Sequence, residues 1–193
     1  MSPIRDPRPD EIKALEEEIL EKKKQLAELR KKQPEQEIKD YQLKTWDGGQ
    51  VSLSELFGGK DEMILIHNMG KRCTYCTMWA DGFNGIAHHL ENRAAFVVVS
   101  PDDPATQKQF AQSRGWKFKM YSAHESSFLK DVGFMGDKND PWPGVSTFRK
   151  DAGGKIYRKA WTFFGPGDDF CSTWHLLDLL PQGPNDWEPK YSY

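Results

Sequence analysis

Apolar residues at Ile12, Leu15, Ile19, Leu26 and Leu29, with Lys22 filling the gap, recur at alternating three- and four-residue intervals. That spacing is a heptad seam just over two repeats long and predicts one helix over residues 9–33. Pro9 and Asp10 supply its start and Pro34 its stop. After Pro34 the period changes. Tyr41–Trp46 alternates as a strand and Asp47-Gly48-Gly49 reads as a turn. Val51–Phe57 reads as a short helical turn ending at Gly58-Gly59. Met63–His67 and Ala95–Val99 are short apolar runs of the buried-strand kind. Between them, residues 73–92 predict a helix with Trp79, Phe83, Ile86, Ala87 and Leu90 on one side. Ser100-Pro-Asp-Asp-Pro104 opens a helix to about Arg114. A short strand near Phe118–Tyr121 and a helix near Glu125–Val132 follow. Two strands, Val145–Arg149 and Lys155–Thr162, are joined by the turn Asp151-Ala-Gly-Gly154, and a last helix covers about Ser172–Leu180. Strands alternating with helices imply a βαβ sheet, and the closing hairpin makes it a mixed one. The expected organisation is a helical extension (1–35), an α/β domain (36–181) and a tail rich in proline and aromatics (182–193).

Charge adds detail to the first helix. Asp10–Glu21 holds six acids and one base, whereas Lys22–Lys32 holds six bases and one acid. This polarity suits the helix macrodipole, and Glu18–Lys22 and Glu28–Lys32 are spaced for i,i+4 pairs. The seam could lie against the chain's own domain; an antiparallel pairing with a second copy would set acidic halves against basic halves, and a homodimer through this helix is the favoured expectation. Over the whole chain the net charge is −2, with 37% hydrophobic and 29% charged residues. That balance gives no footprint for nucleic acid or an anionic membrane. No run of 18 apolar residues exists to span a bilayer, and the first residues lack an apolar signal core. With three cysteines, two of them in a CxxC, the chain reads as cytoplasmic and not as a secreted disulfide scaffold.

The chemistry centres on Cys73-Thr74-Tyr75-Cys76 at the junction between the first apolar strand and the helix that follows. A sulfur at a helix N-terminus meets unsatisfied N–H groups and the positive end of the dipole, which favour thiolate. A second sulfur one turn on can resolve a mixed disulfide. Cys73 is therefore the expected nucleophile and Cys76 the resolving thiol, with Lys71 and Arg72 expected to lower the pKa of Cys73 by Coulomb attraction. Cys171 and His175, spaced i,i+4, could complete a Cys₃His zinc set with the dithiol; a packed Cys171 is the simpler reading. Met69, Trp79, Trp142 and Phe163 could line a groove beside the dithiol, and the loop 133–144 could cover it.

The order of elements resembles the thioredoxin superfamily in its peroxiredoxin and TlpA-like branch. The resemblance rests on Tyr41–Gly58, the strand leading into CxxC, Val97–Phe110 and the hairpin at Asp151–Lys155. More narrowly, Trp79-Ala-Asp-Gly-Phe-Asn84, Arg114-Gly-Trp116 and Leu177-Leu-Asp-Leu-Leu-Pro181 resemble an uncharacterised bacterial thioredoxin-like family, over about residues 10–193. The resemblance implies a thioredoxin-like mixed sheet but no settled activity. The dithiol itself points to thiol–disulfide exchange with a protein or small-molecule disulfide. With no glycine-rich dinucleotide fingerprint in the chain, neither an organic cofactor nor a resident metal is expected. The resemblance also places His67, six residues before Cys73, where thioredoxins hold a buried acid that accepts a proton from the second cysteine; a neutral imidazole could serve there, as could a simple core histidine. Gly144-Val-Ser-Thr147 aligns with the pattern that carries a cis-proline facing the dithiol, which puts Ser146 at the proline position. A cis bond before a non-proline residue costs about 2.5–4 kcal/mol, so a trans or rearranged loop is expected. The peroxidase motif Pro-x-x-x-Thr-x-x-Cys is absent, with Ile66 and Gly70 at its first two fixed places, and Pro143 stands where that family carries an arginine. The readings left open are therefore a disulfide oxidoreductase, a non-catalytic binding protein of the same fold, a peroxidase, or a zinc protein.

Overall fold

A computed structural model of the chain describes residues 6–193. It divides into two compact units, residues up to Pro34 and Glu35–Tyr193. The first is the helix α1 (Asp10–Lys32), which lies inside the expected 9–33. None of its residues is buried. Ion pairs run along it at three-residue spacing (Lys13–Asp10, Lys24–Glu21, Lys31–Glu28), so Glu28 pairs with Lys31 and not with Lys32 as expected.

The second unit is built on one mixed sheet of eight strands. In chain order these are β1 (Gln36–Ile38), β2 (Gln42–Lys44), β3 (Gln50–Ser52), β4 (Glu62–His67), β5 (Ala95–Ser100), β6 (Lys119–Ser122), β7 (Gly144–Lys150) and β8 (Ile156–Phe163). Their spatial order is β1-β8-β7-β4-β5-β6-β2-β3. The centre, β4-β5-β6, is parallel, and β7 joins β4 antiparallel to start the closing hairpin. Parallel neighbours require crossovers. These are α2 (Thr74–Arg93) and α3 (Pro104–Arg114), with α4 (Phe128–Asp131) and α5 (Ser172–Asp178) following.

Period-two alternation in the central strands sorts side chains into two cores. Met63 and Leu65 of β4 with Val97 and Val99 of β5 join Phe57, Phe128, Phe134, Phe148 and Ile156 on one face. Ile66 of β4 with Phe96 and Val98 of β5 face α2, through Cys76, Trp79, Ala80, Phe83 and Ala87. Each large side chain so buried contributes roughly 1.5–3 kcal/mol. Ile86, expected on the buried side of α2, is instead exposed. The start of α3 obeys its local signals, with Asp103 accepting from the Thr106 N–H at 3.0 Å ahead of Pro104. Gly115 ends it in the left-handed conformation (φ 68°).

Candidate active site

The dithiol lies where β4 gives way to α2. Cys73 is the N-cap of α2, and its sulfur accepts from the Cys76 backbone N–H at 3.0 Å. A thiolate in that place takes the part a serine or aspartate oxygen plays in an ordinary cap. The bend that brings the chain there is held from both sides. Asn68 is buried, accepts from the Gly70 N–H at 2.8 Å and reaches the Cys76 carbonyl at 3.4 Å. The Asp102 carboxylate accepts from the Lys71 N–H at 2.8 Å. Gly70 has φ 94°, and a Cβ there would lie 2.7 Å from the Asp102 carboxylate oxygens. A threonine at this position, as in the peroxidase motif, would be strained by the positive φ and would require the Asp102 carboxylate to shift.

The two thiols are electrostatically unequal. The Cys73 thiol is lowered to about 7, first by the hydrogen bond from the Cys76 thiol and then by the N–H groups of Cys76 and Tyr75, with burial opposing. The same hydrogen bond, with burial and the neighbouring sulfur charge, pushes the buried Cys76 thiol far up. Lys71 and Arg72 are exposed, and the pull on Cys73 comes from hydrogen bonds and not from their charges. The expected Coulomb cause is thus replaced by a local one.

His67 is not brought together with the thiols. Along β4 it follows Met63 and Leu65 onto the face away from α2, where its ring stacks on Phe134 with centroids 3.6 Å apart. Its Nε2 shares a hydrogen bond of 2.9 Å with Ser146 Oγ, and Nδ1 is buried without a partner. Burial, and then the charge of Arg158, hold this imidazole well below the usual histidine value, so it is neutral at physiological pH. Ser146 belongs to that same buried environment. It pairs with Leu65 inside β7 and does not face the dithiol, and among the described residues every peptide is trans. The residue just ahead of the hairpin strand and beside Cys73 is Pro143.

A groove of about 440 Å³ opens on Cys73. Met69, Tyr75, Trp79, Trp142, Pro143 and Phe164 line it. Three of the four expected lining residues are there; Phe163 instead packs against Trp142 and Phe134. The wall at Phe164 is fastened by Asp168, which accepts from the N–H groups of Gly165 (2.9 Å) and Phe170 (2.8 Å) and from Trp79 Nε1 (3.3 Å). Composition could not reveal two further neighbours. Tyr75 lies close to Glu188, and burial together with that carboxylate raises its phenol. Burial raises the Tyr191 phenol too, with the charge of the two sulfurs adding to it, and the Tyr191 ring packs against Phe110.

The zinc set does not assemble. Cys171 is packed in the α2-side core and His175 pairs at the surface with Asp169 (3.6 Å). Among the described residues no group of three or more potential ligands is poised for a metal. Asp81 and Asn84 have structural partners: Asp81 accepts from Trp116 Nε1 at 2.7 Å and pairs with Arg114, and Asn84 braces Gly115 and Lys117.

Parallel central strands, a dithiol capping the first crossover helix and an antiparallel closing hairpin define a thioredoxin-like fold. Reduced Prx3 from Vibrio vulnificus shares the fold with a TM-score of 0.55 at 17% identity, over 70% of this chain and 89% of that one. A peroxiredoxin-like protein from Aquifex aeolicus does so at 0.51 and 21%, over 67% and 72%. Within that class, the chain belongs to the family described as bacterial proteins of unknown function (DUF899), whose model matches residues 8–193. Among curated proteins it is 28% identical over 141 residues to the chloroplastic peroxiredoxin Q of Populus jackii, covering 72% of this chain and 65% of that protein. It is 27% identical over 117 residues to that of Gentiana triflora, covering 60% and 53%. This chain spans less than two thirds of either plant protein. No described helix is long and apolar enough to cross a membrane.

Proposed function

We propose that the chain is a thiol–disulfide oxidoreductase in which Cys73 attacks and Cys76 resolves. The observation that carries this reading is the Cys73 sulfur capping α2, accepting from the Cys76 N–H at 3.0 Å with its thiol lowered to about 7. About half of such a thiol is thiolate at neutral pH, near the optimum for an attacking sulfur. The thiolate attacks one sulfur of a substrate disulfide and expels the other as a thiolate, leaving a mixed disulfide on Cys73. Two of the causes that keep Cys76 protonated, its hydrogen bond to the Cys73 sulfur and that sulfur's charge, then vanish. Cys76 loses its proton to the departing thiolate and attacks Cys73. Its attack expels the second half of the substrate as a thiolate, which takes its proton from solvent, and the enzyme holds a Cys73–Cys76 disulfide, which two equivalents of an external thiol return to the dithiol. The apolar groove suits a disulfide flanked by apolar or aromatic groups, of protein or small-molecule origin.

A second reading, reduction of a peroxide by the same sulfur, draws on the sequence similarity to peroxiredoxin Q. The absence of the activating motif and the tight glycine at position 70 weigh against it. One set of assays separates them: the reduced protein is mixed with glutathione disulfide, a model protein disulfide, or hydrogen peroxide, and thiol loss is followed. Fast consumption of either disulfide, lost in Cys73→Ser and halted at a mixed disulfide in Cys76→Ser, is the expected result. Rapid consumption of peroxide alone selects the second reading. Rates in the wild type no faster than those of a free thiol would remove both and leave a binding protein.

A further inference from the structure

We propose that α1 is a self-association element that pairs antiparallel with α1 of a second copy of this chain. Its seam is exposed throughout, with Ile12 at 48%, Leu15 at 58%, Leu26 at 45% and Leu29 at 66% of full accessibility. A helix with an apolar stripe and no buried residue is stabilised in water mainly by packing that stripe. A depression of about 320 Å³ on the seam, bordered by Leu15, Ile19, Lys22 and Leu26, offers a hole into which a side chain from a facing helix can insert.

The sequence of the seam selects the occupant and its direction. The order Ile12, Leu15, Ile19, Lys22, Leu26, Leu29 reads the same in spacing from either end. In an antiparallel pair centred between Leu20 and Glu21, Ile12 meets Leu29 of the second copy, Leu15 meets Leu26, and Ile19 meets the aliphatic stem of Lys22. Every apolar seam residue gains an apolar neighbour, and the ammonium groups of the two Lys22 residues extend to opposite sides. The flanking positions agree: Glu16 faces Lys23 of the second copy and Glu11 faces Lys32, each twice by symmetry. A parallel pair would instead bring Lys22 against Lys22 and Glu11 against Glu16. An unrelated partner has no reason to match this internal symmetry; a second copy matches it by construction.

The test is sedimentation equilibrium of the full chain over a concentration series at low salt, with three variants. The wild type is expected to dimerise, and Leu26→Lys to abolish dimerisation. Glu16→Lys, which places like charges opposite each other twice, should raise the dissociation constant about tenfold. Glu16→Lys combined with Lys23→Glu restores opposite pairing and should recover most of the loss. Glu16 also pairs with Arg8, but that contact is exposed, so its removal does not threaten folding. A monomeric wild type would overturn the proposal. So would a dimer unaffected by Leu26→Lys, which would place the interface elsewhere. Tighter association of Glu16→Lys would show a parallel pair and overturn the antiparallel assignment.

Discussion

At the scale of the residue, the asymmetry of the two sulfurs is the central property, and one hydrogen bond between them does most to create it. The Cys76 thiol donates, so Cys73 is stabilised as an anion and Cys76 is held as an acid. Removing the donor removes the leading cause of the shift. Cys76→Ala is therefore expected to move the midpoint of Cys73 alkylation by iodoacetamide upward from about 7. Arg72→Ala should leave that midpoint in place. Mass spectrometry of the alkylated protein across pH 5–10 reads both outcomes, and a large shift in Arg72→Ala would restore the Coulomb explanation that the hydrogen bonds displace. That Cys73 is the sulfur at the helix start was legible in the sequence because a cap position is local information. The cause of its lowered pKa was not, because a side chain that precedes a cysteine in sequence can point to solvent, as that of Arg72 does.

Elements were legible where a local pattern marks them, α1, which buries no residue, included. Strands β4 and β5, helices α2 and α3 and the closing hairpin all fall within two or three residues of their expected bounds, since each carries its own period or cap. The strand β1 was not foreseen. Gln36-Glu37-Ile38 has no apolar alternation, and its place is set by pairing with β8, a partner more than a hundred residues away. The segment after Gly49 was read as a helical turn from Val51, yet it pairs with β2 first and turns only at Glu55–Phe57. In the loop before β7 the chain departs from the cis-proline pattern. The pattern put Ser146 opposite the dithiol, whereas strand pairing with Leu65 turns it to the other face and leaves Pro143 at the groove. Gly144, between the groove and the strand, tolerates no side chain: a Cβ would lie 2.3 Å from the Thr162 carbonyl oxygen and 2.5 Å from the Phe134 ring. Gly144→Ala is expected to cost about 2 kcal/mol and to lower Tm by roughly 4–8 °C in a thermal scan, since the nearest atom is backbone and cannot rotate away. An unchanged Tm would mean that β7 and β8 separate more easily than their register implies.

For the whole molecule, the state of the dithiol is coupled to stability through pH. A thiol whose folded value (about 7) lies below that of an unfolded cysteine (about 8.5) stabilises the folded protein at high pH. The Cys73 contribution is present above the unfolded value and is lost as pH falls through about 7, while Cys76, whose thiol is pushed up in the folded protein, acts in the opposite sense above about pH 8.5. The oxidised protein has no such group. The Tm of the reduced protein relative to the oxidised one should therefore rise between pH 7 and 8.5 and be flat below about pH 6, a comparison that two series of melting curves would make. A difference independent of pH would show that Cys73 titrates in the folded protein as it does in a free peptide.

The outermost strands of the sheet, β1 at one margin and β3 at the other, are three residues each. An open edge is where sheets of different molecules fuse, and a long flat one invites aggregation. Margins this short, with Glu37 of β1 tied to Lys155, give an incoming strand little to hold. The fold therefore resists growing sideways into fibrous assemblies even when crowded.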